Sequence, residues 1–216
     1  MTSREIVERT LEFKGPERVA RSFCDSDLVG VGVDIETSET QWVKKGNLWE
    51  RKDIWGNLWR RLDETSKGEV AKGVLENLDD VDKLPLPDFS DHKLYKKAKD
   101  VFKKNPNKYC IGHIEGFTFS IARKMRTLEQ YLMDLMLERE KLSVLHDRID
   151  QLIIDQITGF ANAGAHAIMF AEDWGTQTQT LISPALWREE FKPRFKRLCQ
   201  YAHELNLKVF MHSCGK

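Results

Sequence analysis

The sequence predicts an α/β fold in which parallel strands alternate with helices. Four short apolar runs have the composition of buried strands, and the segments between them are long enough to hold crossover helices. A complete eight-stranded barrel of this class typically needs about 250 residues. The chain has 216 residues and contains about four plausible strands. We therefore expect an incomplete barrel domain over residues 1–216, the first part of something larger.

Residues 1–88 are expected to form an N-terminal helical extension and the first strand. Thr2 and Glu5 have the spacing of a capping box, so a helix is predicted over about residues 3–13. The Gly15–Pro16 pair should end it.

A β-branched run predicts the first buried strand over residues 27–33. From residue 34 to residue 88 the pattern is weak, and tryptophans are interspersed with glycines. This composition indicates turns and short hairpins rather than a regular βα unit. The tryptophans are Trp42, Trp49, Trp55 and Trp59.

Residues 89–216 are expected to form successive βα units. The predicted strands cover residues 109–114, 165–171 and 207–212. The predicted helices cover about residues 90–105, 127–137, 138–164 and 183–206.

Local signals set the ends of these helices. Ser90, Thr127 and Ser183 are expected N-caps, because a side-chain oxygen can accept a free backbone N–H at the start of a helix. Gly164 is the expected left-handed stop of the long helix. Pro193 should kink the last helix.

The composition excludes several classes of function. Lys and Arg together number 34, as do Asp and Glu, so the formal charge is zero and no electrostatic signature of nucleic-acid or anionic-membrane binding is present. No apolar run reaches the length of a membrane span, and the N-terminus lacks the apolar core of a secretory signal. The four cysteines are too widely spaced for a small disulfide scaffold. We therefore expect a cytoplasmic location.

Polar side chains follow three successive strands at the edge where parallel α/β sheets place their ligands. These candidates are Glu115 after the second strand, Glu172, Asp173, Trp174 and Gln177 after the third, and His212 and Cys214 after the fourth.

His212 and Cys214 are the sharpest pair. Two residues apart on a strand, they point to the same face with Cα atoms about 7 Å apart, given about 3.3 Å per residue. An imidazole nitrogen and a thiolate sulfur suit Zn²⁺. Spacing alone, however, favours a buried thiol beside a hydrogen-bonded histidine over a metal site. Glu172 and Asp173 are likewise open between acid–base catalysis, support of a metal ligand, and a helix-capping or loop-fixing role.

Four motifs together carry a family resemblance. They are Asp53-x-Trp55-Gly56, residues 172–177 (EDWGTQ), residues 182–189 (ISPALWRE) with Pro193 later in the same helix, and residues 210–215 (FMHSCG). In this combination the chain resembles the uroporphyrinogen decarboxylase superfamily, within it the branch of corrinoid-dependent methyltransferases. The resemblance implies a TIM (β/α)₈ barrel with an N-terminal helical extension, here partial (truncated), and an active site at the C-terminal mouth of the strands.

The resemblance also implies a chemistry. His212 and Cys214 would be the first two ligands of a zinc ion, with a third, a cysteine, expected beyond Lys216. The zinc would lower the pKa of an acceptor thiol, which then attacks a methyl-corrinoid carried by a partner protein. We expect Glu172 and Asp173 to act in catalysis. The residues expected to bind the small-molecule substrate are Glu115, Trp174 and Gln177.

Two alternatives remain at this point. The first is decarboxylation of uroporphyrinogen in tetrapyrrole biosynthesis; the decarboxylases' Arg-Gln-Ala-Gly-Arg segment is absent, and the region from Phe23 to Val33 supplies no cluster of cations for the substrate's carboxylates. The second is an inactive partial barrel that serves as a binding or assembly subunit. An open barrel edge would also favour a dimer.

Overall fold

The computed structural model describes residues 1–35 and 37–215. The strands in chain order are β1 (Leu28–Gly32), β2 (Val43–Lys45), β3 (Leu48–Lys52), β4 (Leu58–Arg61), β5 (Glu69–Lys72), β6 (Tyr109–His113), β7 (Ala167–Ala171) and β8 (Lys208–His212). The α-helices are α1 (Ser3–Leu11), α2 (Lys96–Lys104), α3 (Thr118–Arg126), α4 (Leu128–Leu137), α5 (Arg139–Ala163), α6 (Pro184–Leu186) and α7 (Lys192–Glu204). Two 3₁₀ helices, Leu78–Lys83 and His92–Tyr95, and a π-helical turn, Trp187–Phe191, complete the elements.

Two sheets organise the described residues. A parallel sheet has the strand order β1-β6-β7-β8, and an antiparallel meander has the order β2-β3-β4-β5. The parallel sheet is not closed in the described part of the chain, so the predicted α/β class and partial barrel with four parallel strands are confirmed. The hairpins expected after β1 are the meander.

The parallel sheet buries its two faces differently. Its outer face packs against the helices in the main core, where the ring of Phe160 on α5 lies directly over Gly112 of β6. A Cβ added at Gly112 would lie 2.3 Å from that ring. The inner, barrel-side face carries a smaller apolar cluster that includes Tyr109 and Ile111, and α1 contributes Val7 to it.

Helix α3 is an element that the sequence did not predict. Its N-cap residue, Phe117, has no side chain that can cap a helix. The cap comes instead from Glu172, which follows β7 and accepts hydrogen bonds from the N–H groups of Phe117 and Ser120. A contact between residues so far apart along the chain leaves no local signal.

Two predicted N-caps are wrong. Thr127 has φ +68° and makes no side-chain capping bond, because it joins α3 directly to α4. Ser90 donates its hydroxyl to Asp88, and Asp91 caps the 3₁₀ helix that precedes α2. A sharp joint between α3 and α4 replaces the expected helix start at Thr127, and a 3₁₀ helix replaces the expected first turn of α2 after Ser90.

Other predicted boundaries are confirmed. Thr2 and Glu5 form the complete capping box of α1. Gly164 ends α5 in the left-handed region, with φ +93°. Ser183 caps α6 by accepting the N–H of Leu186. The expected irregularity near Pro193 takes the form of the π turn just before it, since proline cannot donate to the carbonyl four residues earlier.

A buried ion pair ties the N-terminal half to the barrel helices. The guanidinium of Arg126, at the end of α3, donates to both carboxylate oxygens of Asp134 on α4, at 2.6 and 3.2 Å. It also donates to the backbone carbonyls of Leu75 and Glu76. Both charged side chains are almost fully buried.

Candidate metal and substrate site at the strand ends

Asp173, His212 and Cys214 converge at the C-terminal edge of the parallel sheet. One potential ligand atom from each lies within 4.8 Å of the other two. Nε2 of His212 is 3.9 Å from Oδ1 of Asp173. The backbone N–H of Cys214 donates to the same Oδ1 at 3.0 Å.

Strand pairing produces this convergence. Ala171, the last residue of β7, is in register with His212, the last residue of β8. The N–H of Glu172 then donates to the carbonyl of His212, so the segments that follow β7 and β8 leave the sheet side by side. Asp173 is thereby held against the residues that follow β8.

The pKa values of Asp173 and Cys214 shift in opposite directions. Partial burial opposes ionisation of Asp173, but the hydrogen bonds from Cys214 and the nearby His212 outweigh this effect and lower its pKa. The thiol of Cys214 donates to Asp173, and this bond together with the carboxylate's charge raises the pKa of the cysteine.

The donor set fits a zinc ion. One nitrogen, one sulfur and one oxygen are all ligand types that zinc takes. In a tetrahedral site with zinc–ligand bonds of about 2.0–2.3 Å, neighbouring ligands lie about 3.5 Å apart. The three donor atoms lie within 4.8 Å of one another, His212 and Cys214 are exposed, and Asp173 is half-buried.

Glu172 lies on the other side of the same strand end. It is fully buried, and its two oxygens accept the N–H groups of Phe117 at 2.6 Å and Ser120 at 2.5 Å. Burial raises the pKa of Glu172 to about 8, against the effect of those hydrogen bonds. This position does not suit the predicted catalytic role. It matches the helix-capping role that the sequence left open.

Trp174 follows Asp173 in the chain, and its side chain packs against the main apolar core. Its ring packs 4.5 Å from that of Phe119 and 5.2 Å from that of Phe191, measured between centroids. With Ile182 and Trp187 it lines a cavity of about 280 Å³. Gln177 lies exposed in the following loop.

Glu115 belongs to a different cavity, above the ends of β1 and β6. The indole N–H of Trp55 donates to its Oε2 at 3.1 Å. This cavity has a volume of about 380 Å³ and is also lined by Gly32, Arg51 and Asp53. The surrounding protein reduces the hydration of the Glu115 carboxyl group and raises its pKa.

Asp53 organises the wall of that cavity. Its buried carboxylate accepts four hydrogen bonds, from the backbone N–H groups of Trp55 and Asn57, the Asn57 amide and the indole of Trp59. The Asp53-x-Trp55-Gly56 motif is therefore a structural hub. Sequence analysis noted the motif but missed Arg51, whose only signal was its position among the tryptophans of the meander.

The chain is similar to known proteins in both sequence and fold. A family model described as uroporphyrinogen decarboxylase (URO-D) matches residues 61–216. The chain belongs to the uroporphyrinogen decarboxylase family. No curated protein matches the chain.

A solved structure shares the fold. A methyltransferase from Methanosarcina mazei superposes with a TM-score of 0.59 over 75% of this chain, at 17% sequence identity. This chain covers 48% of that methyltransferase, about half its length. At this identity the similarity establishes the fold. In the described residues, no helix is both long and apolar enough to span a bilayer.

Proposed function

We propose that this chain, a member of the uroporphyrinogen decarboxylase family, forms part of a zinc-dependent methyltransferase. It would move a methyl group between a methyl-corrinoid, carried by a separate protein, and a thiol or similar acceptor. The observation that carries the proposal is the convergence of Asp173, His212 and Cys214 at one edge of the sheet. The methyltransferase fold of the structural neighbour supports it.

Three side chains of this chain would hold the metal. His212 supplies an imidazole nitrogen, Cys214 a thiolate sulfur, and Asp173 a carboxylate oxygen in place of the cysteine expected further along the chain. Three protein ligands and one open position are typical of catalytic zinc sites. When bound, zinc supplies a Lewis acid that lowers the pKa of an acceptor thiol at the open position.

The neighbouring residues position these donors. Asp173 fixes the segment after β8 by accepting the N–H of Cys214. Glu172 anchors the end of β7 to the start of α3, which fixes the backbone of Asp173. Trp174, the residue after Asp173, lines an apolar cavity together with Ile182 and Trp187. We therefore propose that Glu172 is a positioning residue and that Trp174 shapes the substrate pocket.

Metal analysis of the purified protein tests the proposal. We expect stoichiometric zinc in the unaltered protein and its loss in His212→Ala and Cys214→Ser. After cobalt(II) substitution, a thiolate-to-cobalt absorption band should be present and should disappear in Cys214→Ser. Cys24→Ser is the matched control, because Cys24 is also an exposed free cysteine but lies outside the cluster.

Activity should follow metal content. We expect transfer of the methyl group from methylcobalamin to a small thiol, and its loss in the two variants that lose zinc. Zinc retained in both variants would contradict the ligand assignment. Stoichiometric zinc without methyl transfer to any thiol would contradict the proposed reaction.

The remaining expectations stay predictions. They concern uroporphyrinogen decarboxylation, a non-enzymatic binding or assembly role, dimerisation through the open sheet edge, the cytoplasmic location and the division of the domain near residue 88.

A further inference from the structure

The cavity above β1 and β6, here called the Glu115–Arg51 cavity, holds two opposite charges that do not pair with each other. Its lining includes Arg51, Asp53 and Glu115. Its volume of about 380 Å³ lies within the range of small-molecule sites.

The negative charge is Glu115. One of its oxygens, Oε2, accepts the indole N–H of Trp55, which fixes the carboxylate in place. Within the described residues this is the only hydrogen bond to that side chain, so Oε1 is left for a ligand. An acceptor-only group of this kind, poorly hydrated, favours a cationic hydrogen-bond donor.

The positive charge is Arg51 on β3. Its guanidinium lies over the rings of Trp42 and Trp59, with its central carbon 5.0 and 5.6 Å from the two centroids. Stacking holds the plane of the guanidinium but satisfies none of its N–H groups. Nε of Arg51 is buried without a hydrogen-bond partner among residues 1–35 and 37–215.

Asp53 is not available to neutralise Arg51. Its two oxygens already accept four N–H groups, including the indole of Trp59, on whose ring Arg51 stacks. One buried carboxylate therefore fixes both walls: Trp55, which holds Glu115, and Trp59, which holds Arg51. A fixed cation and a fixed anion in one cavity are complementary to a ligand that carries both charges.

We propose that the Glu115–Arg51 cavity binds a small zwitterion, with the ligand's ammonium group on Glu115 and its carboxylate on Arg51. The further step of identifying this zwitterion as the methyl acceptor or donor rests on the proposed methyl transfer. Glu115 follows β6 and His212 ends β8, two strand spacings of about 4.8 Å away, so about 10 Å separates the cavity from the proposed metal site. A ligand held in the cavity by both charges would therefore need a further arm of several atoms to reach the metal site.

Calorimetric titration with three matched series of probes tests the proposal. The zwitterions are ω-amino acids with three to six carbons, and the controls are alkylamines and alkyl carboxylates of the same chain lengths. We expect at least one ω-amino acid to bind about tenfold or more tightly than its amine or carboxylate counterpart, since each half-molecule forfeits one charge-assisted contact.

Two variants separate the charges. Glu115→Gln should lower the affinity for the ω-amino acid to that for the carboxylate probe, and leave the carboxylate probe unaffected. Arg51→Met should do the converse with the amine probe. Glu69→Gln, an exposed glutamate on the same meander, is the matched control and should bind like the unaltered protein. Near-ultraviolet circular dichroism checks that each variant keeps its tryptophan packing.

The proposal would be overturned if no probe binds, if one charge suffices for full affinity, or if Glu115→Gln and Arg51→Met bind the ω-amino acid normally. Repeating the titration with Cys214→Ser separates this inference from the proposed function. Binding that persists in that variant shows that the cavity works without the metal ligands, and zinc content can be measured whether or not the cavity binds.

Discussion

Replacing Glu172 by glutamine tests whether this residue is a buried helix cap. The carboxylate accepts two backbone N–H groups at the start of α3. Glutamine has the same shape, but its –NH₂ group would face one of those two donors. Loss of that bond, with a buried N–H left unsatisfied, costs about 1–3 kcal/mol.

The effect should depend on pH. Burial raises the pKa of Glu172 to about 8 from its ordinary value of 4.5. Between these values the folded protein retains a proton that the unfolded chain has released, so this group's contribution to stability falls as pH rises from about 5 to 8. At 1.36 kcal/mol per pKa unit, the whole window corresponds to about 5 kcal/mol. Glutamine does not titrate and removes this contribution.

Urea unfolding followed by tryptophan fluorescence, at pH values from 5 to 8, measures both effects. Glu172→Gln should be less stable than the unaltered protein at pH 5, and the difference should shrink or reverse by pH 8. Taking the difference between the two curves removes the contribution of the histidines, which both proteins share. Glu204→Gln, at an exposed site on α7, should follow the unaltered protein. Parallel curves for Glu172→Gln and the unaltered protein would refute the reasoning.

Two further substitutions test the packing. Gly112→Ala should lower the free energy of unfolding by about 1–3 kcal/mol, because the added methyl group would collide with the Phe160 ring. Gly32→Ala is the control, since a Cβ added there makes only ordinary contacts. It should have little effect in the same urea titration. Arg126→Met should lower the free energy of unfolding by about 3–5 kcal/mol, because it leaves the carboxylate of Asp134 buried and unpaired. The double variant Arg126→Met/Asp134→Leu should regain most of the lost melting temperature. A double variant that melts as low as Arg126→Met would contradict this explanation.

The strands of the parallel sheet were predictable because their signal is local. Residues 109–113 and 167–171 are short, largely apolar runs, and most of their side chains are buried, as the interior of a parallel sheet demands. The start of α1 and the end of α5 were predictable for the same reason, since Thr2 and Gly164 act on adjacent backbone.

Helix α3 was not predictable from local pattern. Its first turn depends on Glu172, which the folded chain brings to Phe117 from the next βα unit. The opposite error arose at Thr127, where a capping-box pattern is present but the joint between two helices forces a different backbone conformation. In both cases tertiary contacts override the local signal.

The candidate site was also predictable only in part, where the signal was local. The spacing of His212 and Cys214 predicted that they share a face, and strand order placed Asp173 near them. The sequence did not indicate which of two adjacent carboxylates faces the donors. Glu172 and Asp173 project in opposite directions from the strand end, and only the packing of α3 determines that Glu172 is the buried one.

This pair of carboxylates has an evolutionary consequence. The residue that seals a helix and the residue that offers a ligand atom share one peptide bond, so a mutation that reshapes the helical layer around α3 would displace the oxygen of Asp173. Substitutions there should show epistasis with His212 and Cys214 although they touch neither. The position of the Asp173 oxygen therefore depends on residues around Ser120, which are remote in sequence from all three proposed donors.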